Sequence, residues 1–462
     1  MTAPARTAAY QALRAIAGGR VDLPSALEQA RKGLPDERDR ALAAEIVTGT
    51  LRRQRSLDHL VEAFARRSIA KVDPDVLLVL RLSLYQLLHL DRVPASAVVN
   101  DAVDLTRHAR SGSATGFVNA VLRTALRQRH RLPLPPRPDI GAGTVAEREA
   151  VLAYLGITHS HPEWLVARWL DRHGFEATEQ WVRFNNETPR LTLRANTLRA
   201  GRDTLAAALA AAGIATEPTR YAPDGLIVTA GNPLRAPDYD AFLGNSFFGS
   251  FFAQDEASQL VSLVVAAQPG ERVIDLCASP GGKTLAMAAD MHDSGLLVAC
   301  DVRARRVRLL RDTVRSGGAA SVRLAHIAAT GALPFAPVFD RVLVDAPCSG
   351  LGAIRRDPDI RWRRSEGDLS RLAQDQLALL ERAAALLRPG GRLVYATCSS
   401  EPEEDESVVF AFLSRQHDFE LVDLRADGSP GLTPVLDQRG MLRTLPFAHG
   451  LEAFFAAALR RT

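Results

Sequence analysis

From residue 270 onward, short strand-like runs alternate with helix-like ones. This alternation limits the fold more than any other feature of the chain. RVIDLCA (272–278), GLLVACDV (295–302), SVRLAHI (321–327), DRVLVDAPCS (340–349) and GRLVYATCS (391–399) are separated by stretches of helical periodicity. Strands joined through helices build a parallel sheet with helices on both faces, an α/β fold. Such a sheet binds ligands beyond the C-terminal ends of its strands, where strand order reverses. Chemistry is therefore expected at the ends of these runs.

Upstream the pattern differs. Residues 1–132 read as an all-α domain, with apolar residues three and four apart in ERDRALAAEIVTGTLRR (37–53), DPDVLLVLRLSLYQLL (73–88) and ASAVVNDAVDLTRHA (95–109). Asp73-Pro74 and Val93-Pro94 punctuate between helices. PLPPRPDIGAG (133–143) has no periodicity and reads as a linker. Residues 144–255 read as a small α+β subdomain, with helices at 161–174, 176–186 and 203–213 and strands at 190–196 and 225–230. The Rossmann-like domain is then 256–462.

The N-terminus carries no apolar signal region. The most apolar run near it, DVLLVLRLSLYQLLHL, is broken by Arg81 and too short to cross a membrane, so the chain reads as cytoplasmic. Four cysteines without a C-x-x-C pair argue against a disulfide framework or a zinc site. Charge is uneven: residues 1–135 hold 21 Lys/Arg against 13 Asp/Glu (+8), and the remainder 36 against 40 (−4). A basic N-terminal third points to a polyanionic partner. LRRQR (51–55), RTALRQRHR (123–131) and RRDPDIRWRR (355–364) are the candidate contacts, with Trp362 placed to stack on an unpaired base. RARRVRLLR (303–311) is a poorer candidate, because its arginines suit a solvated helix face.

The first strand of the alternating region runs into CASPGGKT, a tight turn before a helix. A phosphate-binding loop of the G-x-x-x-x-G-K-[ST] kind fails, because its first glycine falls on Cys277; no G-x-G-x-x-G is present either. The second strand ends in Asp301, 19 residues after Gly282, about where a Rossmann-type fold holds ribose hydroxyls. An adenosyl group with an amino-acid carboxylate and no pyrophosphate describes S-adenosylmethionine. The competing reading is an incidental Gly-Gly turn and a surface aspartate.

Cys348 follows the fourth strand and Cys398 ends the fifth, so both thiols are expected over one cleft. Most buried cysteines are small core hydrophobes. Cys300 reads as one, and Cys277 as packing or cofactor-loop backbone. Two thiols ending neighbouring strands are harder to dismiss. Methylating carbon 5 of a pyrimidine needs a thiolate at carbon 6, which makes carbon 5 nucleophilic, and then a base to remove the C5 proton. Asp345, three residues before Cys348, is placed to bond the ring's N3 edge.

DLCASPGGKT, DAPCSGLGAIRRDPDIRW and YATCSSEPEED resemble the motifs of the RNA cytosine-C5 methyltransferases of the RsmB/NOP family. The resemblance implies that Cys398 is the nucleophile and that Cys348 assists release. It implies that Cys277, Ala278, Ser279, Pro280, Gly281, Gly282, Lys283, Asp301 and Asp345 line the S-adenosylmethionine site. RDRALAAEIVTGTLRR and GFVNAVLRTALRQ resemble a NusB-like RNA-binding domain. Together these imply a small-subunit (16S) ribosomal RNA substrate, with no membrane, metal or obligate protein partner. A transfer-RNA methyltransferase and a non-catalytic RNA-binding assembly factor remain alternatives. One departure bears on the cofactor: where the family carries an aspartate after the third strand, this chain has Ala329 and Thr330.

Overall fold

The computed structural model describes residues 2–109, 111–141, 143–234, 249–427 and 431–462. The chain falls into two compact units: residues 1–187 with 354–366, and residues 188–353 with 367–462.

The first unit is helical among its described residues. Its sequence signals act as expected. Asp73 caps the helix Pro74–His89 by accepting from the amides of Asp75 (3.0 Å) and Val76 (3.1 Å), with proline in the first turn. Ile46, Leu57, Leu60, Leu80, Leu82 and Leu122 meet in its core. The unit runs past the linker, so the helices of 144–186, grouped above with the α+β subdomain, fall here. The two helices expected at 161–174 and 176–186 join as Glu163–Phe184, broken at Gly174 with φ +76°. Trp169 and Trp181, both fully buried, stack across it at 4.4 Å.

The second unit holds two sheets. The smaller is antiparallel in the order β2-β3-β1-β4, formed by β1 (Thr192–Ala195), β2 (Ala215–Pro218), β3 (Gly225–Ala230) and β4 (Phe251–Ala253). The larger contains β5 (Arg272–Asp275), β6 (Leu296–Asp301), β7 (Val322–His326), β8 (Phe339–Asp345), β9 (Leu387–Thr397), β10 (Phe419–Val422) and β12 (Phe454–Arg461) in the order β10-β12-β9-β8-β5-β6-β7, with β11 (Leu442–Thr444) paired to β12. Strands β5 to β9 pair in parallel, and β12 runs antiparallel to β9. Side chains alternate between two apolar faces. Val273, Leu297, Leu343 and Val394 enter one core, while Ile274, Val298, Val344 and Tyr395 enter the other. Strand order reverses between β5 and β8. The fourth strand of the alternating series lies beside the first, and the fifth lies beside the fourth, one place further out.

Candidate active site

Parallel pairing puts the C-terminal ends of β5, β6, β8 and β9 along one edge, so Asp275, Asp301, Asp345 and Thr397 end their strands there. The glycine loop follows β5. Gly281, with φ +111°, precedes the helix Gly282–Asp290. A β-carbon there would meet Leu310 Cδ1 at 2.9 Å and Thr313 Cγ2 at 3.1 Å, so only glycine fits without displacement. Arg194 of β1, 4% exposed, donates to the carbonyl of Gly282 (3.0 Å) and to Gln254 Oε1 (2.8 Å), tying the small sheet to this loop.

The two expected thiols meet. Cys348 Sγ and Cys398 Sγ are 3.2 Å apart, and all four cysteines are free. The hydrogen bond to Cys398 and burial push the Cys348 thiol well above its ordinary range, aided by the charges of Cys398 and Glu404. Lys283 Nζ lies 2.7 Å from Asp345 Oδ2 and 5.7 Å from the centre of the Phe454 ring. Burial lowers the Lys283 pKa, but Asp345, Cys398 and Asp275 outweigh it, and the net shift is upward. A firmly cationic ammonium thus stands within electrostatic reach of Cys398.

Cys277 lies in the loop, its thiol pushed up by burial and by Asp275, Asp345 and Asp301, so it is held protonated. Cys300 is fully buried, and its thiol is pushed up to about 12, chiefly by burial. Asp301, 3% exposed, accepts from the amide of Arg303 at 2.9 Å. Ala329 and Thr330 are exposed, and Arg382 holds their loop through the carbonyls of Ala328, Ala329 and Gly331 (2.7–3.0 Å).

Several residues of this edge were not singled out from the sequence. Asp275 is buried; Oδ2 accepts from Thr284 Oγ1 at 2.7 Å while Oδ1 has no protein partner. Burial, countered by Thr284 and Lys283, raises its carboxyl to about 7. Thr397 Oγ1 donates to the buried Asp405 at 2.6 Å, and Arg443 pairs with Asp405 at 3.3 Å. Glu404 accepts from both cysteine loops. The only sequence signal for these last groups is the acidic run EPEEDE after the second cysteine motif.

The basic stretch 355–364 departs from expectation. Arg361 is fully buried and donates to the carbonyls of Ser160 (2.8 Å) and Asn185 (3.2 Å) and to Asn186 Oδ1 (3.1 Å). Trp362 Nε1 donates to the Leu51 carbonyl at 2.6 Å, and Arg355 lies 3.8 Å over the Phe184 ring. Arg355, Arg361 and Trp362 are thus engaged within the first unit, whereas Arg363 is 40% exposed and pairs with Asp359 at 2.6 Å. LRRQR is also engaged: Arg52 is buried, and Arg55 bonds the His161 carbonyl and Glu163. Arg123, Arg127, Arg129 and Arg131 are exposed.

Three family models match the chain: the 16S rRNA methyltransferase RsmB/F model over residues 262–460, the NusB family over 3–127, and the ferredoxin-like domain of RsmF/B-like methyltransferases over 161–235. The probable ribosomal RNA small subunit methyltransferase B of Bacillus subtilis is 34% identical over 92% of this chain and 91% of its own length. The chain belongs to the RsmB/F methyltransferase family. Ribosomal RNA small subunit methyltransferase B of Escherichia coli is 32% identical over 98% of both chains. The crystal structure of PH0851 superimposes over 100% of this chain and 99% of its own with a TM-score of 0.77 at 26% identity.

As a member of this family the chain is an RNA methyltransferase with a NusB-like domain, and its cofactor is S-adenosylmethionine. The residues present fit that cofactor. Asp301 offers a carboxylate at the strand end where a Rossmann-type fold holds ribose hydroxyls, the glycine loop permits close backbone approach, and Asp275 presents a buried oxygen without a protein partner. Among the described residues no helix is long and apolar enough to cross a membrane, and no group of three His, Cys, Asp or Glu residues could hold a metal ion.

Proposed function

We propose that the chain methylates carbon 5 of a cytosine in small-subunit ribosomal RNA through a transient bond between Cys398 and carbon 6. The observation that carries this reading is the 3.2 Å pairing of Cys348 and Cys398 beside the Lys283–Asp345 pair. An oxygen or nitrogen target needs no thiol, whereas two thiols over one cleft suit addition to and elimination from a ring carbon.

Lys283 supplies a positive charge within electrostatic reach of Cys398. The thiolate adds to C6, and the electron pair moves into the ring, where Lys283, paired with Asp345, would offset the charge. The donor, when bound by the glycine loop, Asp301 and Asp345, supplies an electrophilic methyl group. The C5–H bond must then break. The hydrogen bond to Cys398 and burial hold Cys348 protonated. Once Cys398 is a neutral thioether, Cys348 gives up its thiol proton to solvent, and the resulting thiolate takes the C5 proton. The S–C6 bond breaks as the ring regains its double bond, and Cys398 leaves as thiolate. Four free cysteines fit the reducing cytoplasm, where we place the protein.

The test is Cys348→Ala expressed in cells. An RNA adduct through Cys398 that survives denaturing electrophoresis is expected, because addition persists while release is impaired. Sequencing the trapped RNA reports ribosomal or transfer RNA. Methyl transfer left intact without any adduct overturns the assignment of the two thiols.

A further inference from the structure

We infer that Glu404 is a positioning residue that sets the separation of the two site thiols. The inference rests on the covalent reading above. Glu404 is fully buried. Its Oε1 accepts from the Ser349 amide at 2.7 Å and from Gln376 Nε2 at 2.9 Å, and its Oε2 accepts from Ser399 Oγ at 2.6 Å. Ser349 and Ser399 are the residues that follow Cys348 and Cys398. One carboxylate therefore fastens both cysteine loops.

The clamp is anchored on both sides. Gln376, in the helix Glu366–Ala384, also donates to the carbonyl of Pro347 at 3.1 Å, the residue before Cys348. Tyr395 of β9 places its hydroxyl 2.5 Å from the Glu404 carbonyl and 3.1 Å from Gln376 Oε1. Ser349 Oγ and Ser399 Oγ lie 3.3 Å apart, and the Gly352 amide donates to the Cys398 carbonyl at 2.9 Å. Without the carboxylate, the Ser349 amide and the Ser399 hydroxyl lose the acceptor they share.

The chemistry needs this spacing. Cys398 must reach C6 while Cys348 reaches the proton on C5, the adjacent atom of one ring. Displacing a reacting group by about 1 Å can cost on the order of a hundredfold in rate. Both carboxylate oxygens of Glu404 are engaged by Ser349, Gln376 and Ser399, so it acts through the two loops. Elimination is the step most exposed to its loss, because only that step needs both thiols at once.

The test compares full-length wild type, Glu404→Gln, Gln376→Met and Cys348→Ala with a small-subunit ribosomal RNA substrate. Glu404→Gln keeps the length of the side chain and replaces one acceptor with a donor. Gln376→Met removes the tie to Pro347 and serves if Glu404→Gln does not fold. The expected result is a fall in kcat of tenfold or more, with KM for RNA and S-adenosylmethionine binding within twofold of wild type. A denaturant-stable RNA adduct is also expected with Cys348 still present. A merely structural carboxylate would lower folded fraction, binding and turnover together and would not make an adduct accumulate; that outcome overturns the inference. Unchanged turnover in Glu404→Gln, with an adduct in Cys348→Ala, overturns the Glu404 role alone. No adduct in Cys348→Ala overturns the assignment of the two thiols, and the Glu404 role with it.

Discussion

Asp275 shows how one buried group couples the site to solution conditions. Its carboxyl is raised to about 7 in the folded protein, against about 3.9 in an unfolded chain. Between those values the native state binds more proton than the unfolded state, so stability falls as pH rises from about 4 to about 7 and is flat in this group's contribution above that. The shift corresponds to at most about 4 kcal/mol. Thermal melts of the cofactor-free protein across this window should show a steeper decline for wild type than for Asp275→Asn. Equal slopes would mean that Asp275 ionises normally. Cys348 and Cys398 were legible from their positions at strand ends, since strands joined through helices present those ends on one edge. Glu404 was not, because a glutamate in an acidic run has the composition of a solvated turn, and only its neighbours reveal that it is buried.

At the scale of elements, the segment 354–366 reverses its sequence reading. Five arginines and a tryptophan in ten residues suit an RNA contact, yet Arg361 fills a site walled by the carbonyls of Ser160 and Asn185. A buried guanidinium with a fixed fork satisfies several acceptors at once. Arg361→Lys cannot reproduce that fork, and Arg361→Ala leaves the acceptors without donors, at a cost of roughly 2–4 kcal/mol. Both variants should lower the melting temperature, with alanine lower by several degrees. The dependence of RNA affinity on salt should not change, whereas a shallower slope would restore the contact role. The glycine loop, by contrast, was readable in full: Gly281 needs its positive φ because Leu310 and Thr313 crowd the position. Its support by Arg194 came from a distant strand and left no local mark.

For the whole molecule, the excess of positive charge over residues 1–135 is the feature most directly tied to an RNA partner. Arg123, Arg127 and Arg131 are exposed and are the best candidates for phosphate contact once Arg355 and Arg361 are set aside. If each neutralises one phosphate, the triple alanine variant should reduce the magnitude of the slope of log K against log salt by about 3, and weaken binding uniformly across RNA sequences. An unchanged slope would assign this face to solvent. The arginines of the helix Ala304–Gly317, also largely exposed, provide a control of similar charge.

The sequence by itself determined the parallel sheet, the glycine loop, the strand ends that carry the two neighbouring thiols and the helical N-terminal region. These follow from local periodicity, turn residues and the chain order of strands and helices. Only the tertiary structure decided how the chain divides, because residues 354–366 belong with a unit that ends in sequence at 187. It alone decided that Lys283 turns to Asp345 and that one buried carboxylate spans both cysteine loops. The physical reason is the same in each case. A hydrogen bond or a desolvated charge depends on which residues arrive from far along the chain, and no short stretch records that.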